Sequence, residues 1–346
     1  GKLMKIPKGI EGDYIETKNN NLFFDLKGIY HPHDRKICFI RFYPSSDGDR
    51  IKSGKKYKKV YDLNERYSFL RENYPKYLFF SKQFDIMLQG VRNEEIKRIY
   101  TPLEYYQALN QRSTTNHLES CSKELCKLFI EKGDFPKNSI GITGSQMIGL
   151  CKEHSDIDLI IYGTEISRNF QEKLATILST SKYCRKFSQQ EYLTHYEWRV
   201  GGSNIPFDKF LKYERRKLHQ GMYKGFEFFI RYLKSPSDWK GTYYDFLYKN
   251  MGRIELEAKI VDDANGIFTP CSYKIKLLKI NKTDIDEINQ DQINEVSSYR
   301  GRFCEQAIKG EIVLVTGKLE KVIFRRNKEY YRVLLTDQSQ DTMILK

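Results

Sequence analysis

The chain lacks the marks of several large protein classes. In its 346 residues no run of about twenty apolar positions occurs, so a membrane-spanning helix is not expected. The first residues show no secretory pattern. Cysteine is scarce and unpatterned: the seven residues Cys38, Cys121, Cys126, Cys151, Cys184, Cys271 and Cys304 are odd in number and form no Cys-x-x-Cys pair. That argues against a disulfide framework or a zinc knuckle, so reduced thiols and a cytoplasmic location are expected. Gly144 and Gly149 do not build a Gly-x-Gly-x-x-Gly turn, which speaks against a dinucleotide site of Rossmann type. His31-Pro32-His33 has no acid or cysteine cluster beside it and reads as a turn rather than a metal site. No internal repeat and no long low-complexity linker is evident. Acid is the minority charge, with 45 Asp and Glu against 59 Lys and Arg, a formal net charge of +14. Such a balance favours polyanionic partners without saying which sequence they carry.

What is present is concentrated between Ser139 and Gly163, SIGITGSQMIGLCKEHSDIDLIIYG. Ile140–Thr143 is a short apolar run that stops at Gly144, and a second run rich in Ile and Leu follows Asp156. Each reads as a buried strand, with room for two helical turns from Gln146 to Lys152. Successive side chains alternate along a strand, so Asp156 and Asp158 share one face and Ile157 turns to the core. Two carboxylates on one face repel, and a divalent cation relieves the conflict. Oxygen ligands favour Mg²⁺, which commonly takes its remaining ligands from a substrate's phosphates. A glycine lets a phosphate approach the backbone, amides at a helix start favour anions, and Ser145 adds a hydroxyl donor.

This strand, Gly-Ser pair, helix and Asp-x-Asp strand resembles the nucleotidyltransferase superfamily related to DNA polymerase β. Over its whole length the chain is also similar to archaeal proteins described only as predicted nucleotidyltransferases. The resemblance implies that Asp156 and Asp158 are catalytic metal ligands, with two Mg²⁺ ions that Mn²⁺ can replace, and that Gly144 and Ser145 hold the nucleotide. It also implies a third carboxylate from a neighbouring strand. Glu227, inside the aromatic run Phe226–Tyr232, is favoured, because a lone acid there is costly unless something positive meets it. Asp208 is the alternative, although an acid in a first helical turn is already explained by the helix dipole. Lys212, Arg215, Arg216 and Lys217 cluster along a probable helix, and Arg215 or Arg216 is expected to reach the nucleotide's phosphates. Both cannot point the same way. Arg231 would share a strand face with Glu227.

Three modules are expected in a mixed α+β, α/β-type chain. Residues 1–100 form a β-rich module containing Arg50, Lys52, Lys55, Lys56, Lys58 and Lys59, six cations in ten positions with no acid among them. That segment is the candidate nucleic-acid contact, with a partnerless charged hairpin tip as the alternative. Residues 101–235 form the transferase core, with helices around Leu118–Phe129 and Phe170–Leu178. The charged segment Gln189–Gly221 has no legible role. Residues 236–346 return to strands (Ile254–Val261, Tyr273–Ile280, Glu311–Leu319, Tyr330–Thr336) and suggest a small barrel, of OB type among the options, with an acidic run at Asp284–Glu295. The 25 tyrosines are read either as stacking platforms or as packing in these modules. The expected activity is NMP transfer from an NTP to a hydroxyl, with a nucleic-acid 3′ end as the acceptor that the charge favours. Transfer to a protein or small molecule, or an inactive nucleic-acid-binding protein, are the alternatives.

Overall fold

The computed structural model describes residues 4–200, 205–337 and 339–346. They form a mixed α+β structure in two compact units. The first unit comprises the described residues up to Ser81 together with Met87–Arg185 and His219–Lys240. The second comprises Lys82–Ile86, Lys186–Leu218 and Gly241–Lys346. The N-terminal module and the central core therefore belong to one unit, and the segment after Arg185 belongs with the C-terminal strands.

The first sheet of unit one contains β1 (Tyr14–Thr17), β2 (Phe23–Leu26), β3 (Arg35–Pro44), β4 (Arg50–Lys52) and β5 (Lys55–Lys59). After α1 (Leu63–Asn73) come β6 (Leu78–Ser81), β7 (Ile86–Arg92) and β8 (Ile96–Tyr100). The strand order is β4-β5-β3-β2-β1-β8, with β7 joining both β3 and β6. Cys38 and Ile40 of β3 are buried in one core with Phe24 and Leu26, and a bulge opposite Phe23 and Phe24 turns Phe42 into another with Phe23 and Tyr57. Lys52 pairs with Lys55 across a two-residue turn, and Ser53 and Gly54 both take positive φ (51° and 77°). That is the backbone a tight hairpin demands, so the basic segment is a hairpin.

Next come α2 (Pro102–Asn110), α3 (His117–Gly133), β9 (Ile140–Thr143), α4 (Gly144–Met147), β10 (Ile157–Tyr162), α5 (Thr164–Thr180) and β11 (Cys184–Arg185). In chain order α6 (Gln189–Val200) and α7 (Phe207–Glu214) intervene before β12 (Gln220–Tyr223) and β13 (Phe226–Leu233). The second sheet is ordered β11-β12-β13-β10-β9. β10 and β13 are parallel, and the other neighbours are antiparallel. Helix α3 begins with a capping box in which Asn116 and Glu119 each accept the other's backbone N–H, an arrangement that stabilises a helix start by about 1 kcal/mol. On one sheet face Phe129 of α3, Phe170 of α5 and Phe228 of β13 meet edge to face, with ring centroids 5.1 and 5.9 Å apart. Burying a Phe side chain is worth about 2–3 kcal/mol, so this face fixes the helices. The other face carries Ile160 and Tyr162, covered by Ile10 and its neighbours.

The two helical turns expected after Gly144 are not formed. α4 is a single turn, and Gly149 (φ 74°) takes the chain out of the helical basin. Leu150 N–H then bonds back to the Ser145 carbonyl at 2.9 Å. A one-turn helix has no developed dipole, so the helix-start argument for anion binding lapses here.

The second unit holds β14 (Phe246–Asp262), β15 (Cys271–Thr283), β16 (Ile293–Ser298), β17 (Ile312–Phe324), β18 (Lys328–Leu334) and β19 (Thr342–Leu345). Pairings run β14-β15-β16-β18-β17 and return to β14, with β16 and β18 parallel and β19 added beside β17. Its core joins Leu256, Ile260, Val296, Val315 and Val333 to Phe210 and Tyr213 of α7. The acidic run conceals β16, whose Ile293 and Val296 are buried.

Candidate active site

Strand register brings the predicted acids to one sheet face. Asp158 pairs with Thr143 on one side and Phe229 on the other, and Ile157 pairs with Phe228. Paired residues share a face, so Glu227, Phe229 and Arg231 lie on the face of Asp158, and Glu227 occupies the place on β13 that Asp156 occupies before β10. The half-buried positions of β13 are these three. Asp156 is exposed and Asp158 half-buried. Asp208 lies in the first turn of α7, in the other unit.

Gly144 touches this face directly. Its φ is 77°, and a Cβ placed on it would sit 2.4 Å from Asp158 Oδ2. A side chain there would displace the Asp158 carboxylate, and the positive φ strains any residue but glycine. Thr143 Oγ1 donates to the Gly12 carbonyl at 2.5 Å, which ties the end of β9 to the N-terminal segment. Ser145 is half-exposed beside Gly144.

The surroundings of Asp158 were not visible in the sequence. Burial raises its carboxyl pKa, opposed by Arg231, Lys59 and Arg41, while Asp25 adds to the rise. Among the described residues no hydrogen bond or ion pair reaches Asp158 directly. Arg231 Nη1 instead donates to Glu11 Oε2 at 2.8 Å. Asp25 is buried, yet Lys27, Arg41 and Arg231 hold its pKa below the ordinary carboxylate value. Lys59 is half-buried, and burial with the nearby Arg41 and Arg50 pushes its pKa down to about 8 against the pull of Asp158 and Asp156. Strands β2, β3 and β5 thus bring an acid and two cations to the carboxylates of β10. A sequence signal did exist for Lys59, since alternation in β5 sets it on the side of Tyr57; nothing local marked Arg41 or Asp25.

The six predicted nucleic-acid contacts divide into three groups. Arg50 is buried, donates to the Leu150 carbonyl at 3.1 Å and lies over the Phe42 ring. Lys52 Nζ donates to the Ile148 carbonyl at 2.7 Å. Both anchor the hairpin to the loop after Ser145, helped by packing of Met147, Ile148 and Leu150 on Phe23, Phe42 and Tyr57. Lys55, Lys56 and Lys58 are exposed, and Lys59 is half-buried within electrostatic reach of the acids. Arg50 and Lys52 are therefore corrected from surface contacts to anchors.

Arg215 and Arg216 follow the end of α7 in the second unit rather than lying along a helix. Arg216 is bidentate to Glu311, at 2.8 and 2.6 Å, and also donates to the Gln306 carbonyl. Arg215 Nη2 donates to Gln189 Oε1 at 3.4 Å. Lys217 is fully buried against Glu214. These donors have protein partners, which is why a count of cations misjudged them. Most tyrosines that could stack on bases are core residues, among them Tyr14, Tyr57, Tyr77, Tyr162 and Tyr273, whereas Tyr61 is exposed. His31 is a turn residue, its Nδ1 accepting the Ile37 N–H at 2.9 Å.

A divalent ion fits the pair Asp156 and Asp158, which share a face beside a glycine and include an acid with no direct partner. Among the described residues no three His, Cys, Asp or Glu side chains converge closely enough to hold a metal ion by themselves. Mg²⁺ is ordinarily held by one or two carboxylates with the substrate's phosphates, so a pair suffices.

No known family profile matches the chain, and no solved structure matches it. It is similar to Uncharacterized protein MJ1086 from Methanocaldococcus jannaschii, 27% identical over 334 residues that cover 93% of this chain and 94% of the relative.

Proposed function

We propose that the first unit is a metal-dependent nucleotidyltransferase with a polymerase-β-like core, moving an NMP from an NTP to a hydroxyl. The carrying observation is the close approach of Gly144 and Asp158: a glycine at positive φ, where a side chain would displace the carboxylate, against a half-buried acid that lacks a direct partner. Such an acid is poorly placed for stability and well placed for a ligand. Asp156 and Asp158 would hold Mg²⁺, with Glu227 as the third acid on the same face.

Bound there, Mg²⁺ supplies charge neutralisation on the transferring and leaving phosphates. The protein's part is placement. The bare Gly144 backbone and the Ser145 hydroxyl border the acids, and the N-terminal segment closes the sheet face beyond Asp158 through Gly12 and Ile160. The acceptor oxygen bonds to the α-phosphorus, the α–β anhydride bond breaks, pyrophosphate leaves and the acceptor proton passes to a site carboxylate.

The acceptor we propose is a nucleic-acid 3′ end. The net charge of +14 supports it, as does the ring of strands in the second unit. Its order with parallel β16 and β18 resembles an OB-type barrel, a fold that often receives single strands, though fold alone does not assign function.

The test is incubation with Mg²⁺, each α-labelled NTP or dNTP, and RNA, DNA and protein acceptors. Label should pass to a nucleic-acid end and fall on the order of a thousandfold in Asp158→Asn. Equal labelling by the variant would defeat the mechanism, and labelling confined to a protein acceptor would replace the substrate.

A further inference from the structure

We infer that the N-terminal sheet supplies the phosphate-binding cations of this site, with Lys59 and Arg41 receiving the β- and γ-phosphates of a nucleoside triphosphate. The inference rests on the transferase reading above and names residues that the Gly-Ser and Asp-x-Asp pattern does not contain.

The first support is construction. Lys59 ends β5 and pairs with Phe42 of β3, on the side of β5 where Tyr57 is buried; Lys56 and Lys58 point the other way and are exposed. The β4–β5 hairpin is pinned to the loop that follows Gly144 and Ser145 by Arg50, by Lys52 and by an ion pair between Asp49 and Lys152. The chain segment that would border the phosphates therefore also fixes the strand that carries Lys59.

The second support is unmet demand. Lys59 lies within electrostatic reach of Asp156, Asp158, Arg41 and Arg50, yet among the described residues no acid forms an ion pair with it. Its Nζ lies 4.8 Å from the centre of the exposed Tyr61 ring. Arg41 keeps a buried Nε without a hydrogen-bond partner. Arg231, by contrast, is held by Glu11, and Asp25 faces both Arg41 and Arg231.

The third support is charge balance. Asp156 and Asp158 offset the crowded cations while no metal is bound. A divalent ion on those carboxylates takes up that negative charge and leaves Lys59 without an offset, while Arg41 keeps only Asp25, which it shares with Arg231. A triphosphate restores it, and an ammonium is a suitable point-charge partner for phosphate oxygens. Metal and triphosphate should therefore bind cooperatively, through Lys59.

The experiment measures two affinities on the full chain: Mn²⁺ alone, and a non-hydrolysable β,γ-imido NTP with Mg²⁺. Lys59→Met should weaken the nucleotide analogue at least tenfold and tighten Mn²⁺ alone several-fold, because a cation beside the carboxylates has been removed. Lys59→Arg should recover most of the nucleotide affinity, and Arg41→Met should lower it in the same direction as Lys59→Met. Damage to the fold would weaken both ligands together, so opposite signs identify the role. If the unmutated protein binds the analogue and Lys59→Met binds it equally well, or loses both ligands in parallel, this inference is overturned while the transferase reading stands. If the unmutated protein binds neither Mn²⁺ nor the analogue, both fall.

Discussion

Each unit sets a carboxylate among cations, but the two are matched very differently. In the second unit buried Glu214 accepts from Lys217 Nζ at 3.1 Å and from Arg199 at 3.0 Å, and Lys217 also donates to the Arg302 carbonyl at 2.6 Å. In the first unit Asp158 has Arg231, Lys59 and Arg41 in electrostatic reach and no direct bond. The first arrangement is closed: every charge has a partner, and removing one leaves another stranded. The second is open, and its raised pKa records a burial cost that its neighbours do not cover. Buried charge alone therefore does not mark a site; buried charge without a direct partner, beside a backbone kept bare, is the stronger sign.

The largest expected effect crosses the two regions. Glu214→Gln strands Lys217 and Arg199 and should lower stability by about 3–5 kcal/mol while leaving transfer by the folded protein unchanged. Asp158→Asn should do the reverse, removing transfer with stability equal or raised. Denaturant unfolding and label transfer on both variants would show it, and a destabilised Asp158→Asn would break the comparison.

Gly144→Ala comes next. Its Cβ meets Asp158 Oδ2 and its backbone stays at φ 77°, so a loss of about 1–3 kcal/mol is expected, together with loss of nucleotide affinity. Unchanged affinity in this variant would detach Gly144 from the site.

The last effect is confined to a pH window and concerns Asp13, which lies between the two extremes. It accepts N–H bonds from Gly9 and Ile10 at 2.8 and 3.1 Å, yet burial raises its pKa to about 7. The native state then binds more protons than the unfolded chain between the ordinary carboxylate value and pH 7. Stability should fall as pH rises through that window, by an amount on the order of 4 kcal/mol if Asp13 acts alone. Asp13→Asn should flatten that slope when unfolding at pH 5 and pH 8 is compared, and an unaltered slope would show that other groups set it.

What could be read from the chain followed from local periodicity. The strand face of Asp156 and Asp158, the stop at Gly144, the helices α3 and α5 and the four long C-terminal strand runs all follow from alternation or helical spacing within one segment. What could not be read depended on distant partners. Arg216 looked free until Glu311 was placed beside it, and Arg50 looked like a surface cation until the Leu150 carbonyl met it. β16 was hidden because charge dominates the run leading into it, while only Ile293 and Val296 carry its buried side. The cations around Asp158 come from strands widely separated in sequence, and no local pattern announces such convergence.

The most direct test of the central claim is thermal unfolding with and without Mg²⁺ and an NTP, on the unmutated protein and on Asp158→Asn. Ligand that binds only the folded state raises Tm, by an amount that grows with the logarithm of one plus the ratio of free ligand concentration to Kd. The account predicts a clear upward shift for the unmutated protein and none for the variant, whose ligand-free Tm is equal or higher. The same ligand-induced shift in both proteins would show that Asp158 is not part of a nucleotide site.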